Sequence, residues 1–82
     1  MELAKYVKFR EEQFGGVLFE TQSEKVYTLN PAAAAVIREI KAGTAPADIP
    51  ARIRPLFKAP EGAIERDVQA LFAELQEKGL VS

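Results

Sequence analysis

The chain contains no cysteine and no histidine. The first absence removes disulfides, a thiolate nucleophile and every cysteine-based metal site. The second removes the commonest general base and the commonest metal ligand. Charge of one sign is also missing: eleven Lys and Arg stand against twelve Asp and Glu, for a net charge of −1. No bulk field therefore steers the protein toward nucleic acid or anionic lipid. The opening MELAKYVKFREE carries a charge every few residues and no apolar run. It reads as neither a signal peptide nor a membrane span, and a cytoplasmic location is expected. Catalytic loops are scarce too, because Gly15-Gly16 lacks the following helix and the Lys-Ser or Lys-Thr pair of a phosphate cradle.

What is present is patterned. From Pro60 to Leu80 the apolar residues Ile64, Val68, Leu71, Phe72 and Leu75 recur at helical spacing, with Glu65, Gln69, Ala73, Gln76 and Glu77 opposite. The spacing predicts a long amphipathic helix that opens at Pro60 and closes at Gly79, with Leu80 folding back on Leu75. Lys5–Arg10 alternates as a strand, Glu11 to Gln13 interrupts it, and 14–20 resumes with a bulge or bend expected at Gly15-Gly16. Lys25–Leu29 makes a third strand. Asn30-Pro31 then combines a good N-cap with a proline suited to the first helical position, so 32–40 is a helix, stopped by Gly43. Between 47 and 57 a short irregular helix is expected, with Asp48 as its N-cap, Pro50 in its first turn and Pro55 bending it. The fold class is thus α+β: a three-stranded antiparallel sheet followed by three helices, in a single domain over 1–82.

Chemistry is thin. Glu11-Glu12 and Asp67 with Glu74 are the paired carboxylates, and no pattern around them builds the pocket that general acid–base work requires. No catalytic residue, cofactor or metal is assigned, and function is expected to lie in binding. Two surfaces compete. Arg38, Lys41, Arg52, Arg54 and Lys58 form a basic cluster, which suits a small winged-helix DNA-binding regulator. Against that reading, residues 61–78 carry five carboxylates and two cations, a poor approach to phosphate. The other surface is the edge of the third strand, where Val26, Tyr27 and Leu29 suit pairing with an extended peptide. A plain docking module for an enzyme is a third reading.

The segments VKFREEQFGGVLFE, VYTLNPAAAAVI and ERDVQALFAELQEKGLV, in that order, resemble the PqqD-like proteins, the RiPP recognition elements of peptide-modifying pathways. The resemblance runs from about Val7 to Val81 and is weakest around Pro50 and Pro55, where members have a clean helix. It implies a winged-helix-like fold and a non-catalytic chaperone. Such a protein holds the leader of a ribosomally made precursor peptide and presents it to a modifying enzyme of the radical-SAM type. Carried onto this chain, the peptide site comprises Val26, Tyr27, Thr28 and Leu29 on the strand and Asp67, Ala70, Leu71 and Glu74 on the last helix. Tyr27, Leu29 and Leu71 read as core before they read as groove, and Asp67 reads equally as a solvated helix charge. No membrane is implied, nucleic acid is disfavoured, and the exposed edge admits a monomer or a strand-exchanged dimer.

Overall fold

The computed structural model describes residues 1–82. Alternating side chains in the first third set up a meander of β1 (Val7–Glu12), β2 (Gly15–Glu20) and β3 (Lys25–Leu29), in the order β1-β2-β3. Val7, Leu18 and Leu29 lie buried on one face, while Lys8, Arg10, Phe19, Val26 and Thr28 are exposed. Three helices follow: α1 (Pro31–Ala42), which covers the inner face, and α2 (Ile49–Ile53) and α3 (Ala63–Glu77), which pack on α1 and on each other. They close over a single core in which Leu18, Ile37, Ile49, Ile53, Val68 and Leu80 are almost wholly buried.

Three features differ from expectation. β1 runs two residues past Arg10, so Glu11 and Glu12 are not turn residues; they pair with Gly16 and Gly15, and the hairpin turns at Gln13-Phe14. Polar side chains concealed this strand end, because Glu11 meets Arg38 of α1 at 2.7 Å where an apolar residue would have continued the alternation. The two glycines form no bulge, since the register runs unbroken through both. Their role is clearance. A Cβ on Gly15, which has φ +140°, would collide with the Leu29 carbonyl, and one on Gly16 would sit 2.7 Å from the Phe9 ring. Finally, α3 starts at Ala63 after a left-handed Gly62, leaving Pro60 and Glu61 outside the helix.

The remaining caps follow the sequence. Asn30 Oδ1 accepts the Ala33 N–H at 2.8 Å, and Gly43 closes α1 in the left-handed region. At the far end of α3 the Leu80 N–H reaches the Leu75 carbonyl at 2.9 Å and the Gly79 N–H reaches Gln76 at 3.1 Å. This is the Schellman arrangement, with Gly79 supplying the φ of +69° that a side chain disfavours. The proline-rich middle breaks as its prolines dictate. A 3₁₀ turn over Pro46–Asp48 leads into α2, which holds Pro50 in its first turn, and a second 3₁₀ turn over Arg54–Leu56 contains Pro55. Asp48 precedes α2, but its side chain makes no capping bond. One pairing lay outside the sequence expectations: Leu3 bridges Val81, and the Ala4 N–H donates to the Leu80 carbonyl at 2.8 Å.

Candidate functional site

β3 is an edge strand, and the alternation of ladder bonds identifies which of its backbone groups are free. The Thr21 N–H donates to the Tyr6 carbonyl at 2.8 Å. Bonded pairs recur every second residue in an antiparallel ladder, so Lys8↔Phe19, Arg10↔Val17 and Glu12↔Gly15 are the bonded pairs of β1 and β2. β2 therefore turns Gly16, Leu18 and Glu20 toward β3, where they face Leu29, Tyr27 and Lys25. Val26 and Thr28 are left with N–H and C=O directed away from the sheet.

Beside this edge lies a groove of about 670 Å³, walled by β3 on one side and α3 on the other and floored by α1, α2 and core residues. It forms because α3 packs on α1 and α2 and stands off from β3. All eight residues singled out in the sequence line it: Val26, Tyr27, Thr28 and Leu29 on the strand, and Asp67, Ala70, Leu71 and Glu74 on the helix. Leu29 is core, whereas Tyr27 and Leu71 are half-buried and show a surface to the groove. Residues the sequence reading did not assign also line it, among them Asn30, Ala33, Ile53 and Lys78. Lys78 was legible in principle, one helical turn beyond Glu74 on the same face. Ile53 was not, because only the tertiary fold brings α2 beneath the groove.

The electrostatics of the groove reduce to three side chains, Asp67, Glu74 and Lys78. Lys78 Nζ lies 3.0 Å from Glu74 Oε1, and that hydrogen bond holds the ammonium above its usual pKa. Asp67 has no hydrogen-bond or ion-pair partner and is exposed, so the wall presents one unbalanced negative charge above an apolar floor. The basic cluster fares differently. Arg38 pairs with Glu11, Arg52 with Glu39 at 3.0 Å, and Arg54 with Glu65. Glu39 is held below the usual carboxylate range by the Thr44 hydroxyl first and by Arg52 second. Three of the five cations proposed for phosphate are thus already neutralised. No polar or charged side chain is buried anywhere in the chain.

The family described as Coenzyme PQQ synthesis protein D (PqqD) matches residues 15–81. No curated protein matches the chain. Among solved structures, lasso peptide synthetase B1 complexed with the leader peptide is similar at a TM-score of 0.83 and 26% identity, over 99% of this chain and 95% of that one. TbiB1 in complex with the TbiA(beta) leader peptide superposes at a TM-score of 0.86 and 20% identity, over 100% and 95%; that likeness speaks for the fold.

Proposed function

This chain belongs to the PqqD family, and from that premise we propose that it is a non-catalytic RiPP recognition element. It binds the leader of a ribosomally synthesised precursor peptide by strand addition along β3 and presents the rest of the precursor to a modifying enzyme. The observation that carries this reading is the coincidence of an unpaired strand edge at Val26 and Thr28 with the apolar groove between β3 and α3. The structural neighbour of 26% identity, complexed with its own leader peptide, supports the same class of ligand.

In the proposed complex, guest backbone groups bond to the N–H and C=O of Val26 and Thr28. Guest residues opposite Tyr27 and Leu29 send their side chains into the groove, against Leu71 and Ala70. Strand β3, at about 3.3 Å per residue, pairs four or five guest residues. Asp67 receives a guest amide or a Lys or Arg of the leader. An interface of this size supports micromolar affinity or somewhat better. The modifying enzyme is of the radical-SAM type that the resemblance implies, and the encounter takes place in the cytoplasm. DNA binding has no observation in its favour: α3 is acidic and the arginines of the alternative surface are paired.

Titration of the isotope-labelled protein with its cognate precursor tests the reading. Amide shifts are expected at residues 25–29 and 64–75. Shifts confined to 38–58 would defeat the groove assignment.

A further inference from the structure

The sheet has a second edge, β1, on the side away from the groove. Along it, between the N-terminal segment and the last turn of α1, lies another concavity of about 500 Å³ that shares no lining residue with the first. Its floor is apolar, formed by Leu3, Ala4, Val7, Phe9 and Ile40. Its rim carries Lys5, Lys8 and Lys41 against a single carboxylate, Glu2.

Of the eleven Lys and Arg, five are ion-paired and six are not, and three of those six line this hollow. Arg10, Arg38, Arg52, Arg54 and Lys78 each have a carboxylate within ion-pair distance, whereas Lys5, Lys8 and Lys41 have none. Lys5 Nζ lies 5.5 Å from the centre of the Tyr6 ring, and Lys41 Nζ lies 5.9 Å from that of Phe9. The two ammonium groups thus lie over ring faces, a weak attraction that leaves their charge without a carboxylate partner. A molecule with a net charge of −1 therefore sets half of its unpaired cations around one hollow, against the single carboxylate of Glu2. By the alternation that frees Val26 and Thr28 on β3, the backbone of Phe9 on β1 also faces outward.

We infer that this hollow is a docking surface for a carboxylate-rich segment of a second protein, which sets an apolar side chain on the half-buried Leu3, Ala4 and Phe9 while its acids meet the three lysines. A protein segment fits better than nucleic acid. Three point charges give few phosphate contacts, and a nucleic-acid backbone offers nothing apolar to fill the floor. Because the two concavities lie on opposite edges of the sheet, the second protein and a strand added to β3 occupy the chain together. The surface goes beyond the leader reading and does not depend on it.

The probe is an acetylated, amidated peptide of Glu residues interrupted by Leu, titrated into the isotope-labelled chain at low and at high salt, with a short DNA duplex in parallel. Amide shifts are expected at residues 3–9 and 40–43, weakening as salt rises. Binding should be at least ~10-fold weaker in K5E/K8E/K41E, where like charge replaces opposite charge across the contact. The neutral K5Q/K8Q/K41Q variant should fall between, which separates loss of charge from loss of fold. The inference is overturned by shifts spread equally over Lys25, Lys58 and Arg66, by shifts at 25–29 and 64–75 alone, by no saturable binding, or by tighter binding of the duplex than of the peptide.

Discussion

At the scale of single residues, two positions are constrained by what lies against them rather than by their own chemistry. Gly15 leaves room for the end of β3, whose Leu29 carbonyl occupies the space a side chain would need. Gly15→Ala should destabilise the protein by about 3 kcal/mol, the upper part of the range for a single substitution, as read by urea unfolding. Asn30 is constrained by its cap on Ala33; Asn30→Ala should cost about 1 kcal/mol in the same assay. Asp67 is the converse, a residue that the fold does not need. It is exposed and unpaired on the wall of the groove, so Asp67→Lys should leave unfolding unchanged. If the leader brings a cation to this wall, calorimetry should find its dissociation constant raised ~10-fold in Asp67→Lys, with Asp67→Asn between. An unchanged constant would remove Asp67 from the site.

At the scale of elements, the decisive one is β3, whose two sides do different work. Lys25, Tyr27 and Leu29 are bonded to β2, while Val26 and Thr28 face outward. Proline is tolerated in a sheet only where its missing N–H would have faced solvent. Thr28→Pro should therefore keep the fold yet weaken leader binding at least ~10-fold, since it removes a donor and puts a ring in the guest's path. Tyr27→Pro should instead break the β2 ladder and unfold the domain. Circular dichroism and a binding titration on the two variants separate the outcomes, and the opposite pattern would shift the register by one residue. The linking elements matter less for binding and more for placement. Pro50 and Pro55 shorten α2 to five residues, and that stub, by burying Ile49 and Ile53, forms the platform on which α3 rests.

At the scale of the whole molecule, stability comes from one small apolar core with no buried polar group to complicate it. Leu18 lies wholly buried on the central strand, so Leu18→Ala should cost about 3 kcal/mol, a large share of what a domain of this size has. Hydrogen bonds and ion pairs of surface carboxylates set the response to pH. Glu20 is lowered by the Ser23 hydroxyl and the Gln22 N–H, Glu39 by Thr44 and Arg52, and Glu65 by its own backbone N–H and Arg54. A carboxylate depressed in the folded state adds stability above its unfolded pKa and loses it as pH falls through the folded one. Thermal stability should thus hold from neutral pH to about pH 5 and decline below about pH 4. Lys78, raised by Glu74, runs the other way: its contribution is complete below the ordinary lysine pKa and is lost only as the pH climbs through the raised value in strong alkali. These groups are exposed or half-exposed, so both slopes should be shallow and reduced further by salt.

Local sequence alone determined the number and order of the strands, the Asn30-Pro31 junction, the stripe of α3 and its Gly79 closure, because each rests on spacing or on backbone preferences within a few residues. The eight residues proposed for the peptide came from the family resemblance, and the fold sets all of them along one groove. Tertiary structure decided the rest. Only packing shows that Gly15 and Gly16 clear neighbouring chain, that Arg38, Arg52 and Arg54 are already neutralised, and that Ile53 underlies the groove. Only packing brings Leu3 to Val81 and gathers Lys5, Lys8 and Lys41 around one hollow. The physical reason is range. Periodicity and capping act over one or two turns of chain, whereas clearance, charge neutralisation and concavity depend on residues that are distant in sequence and adjacent in space.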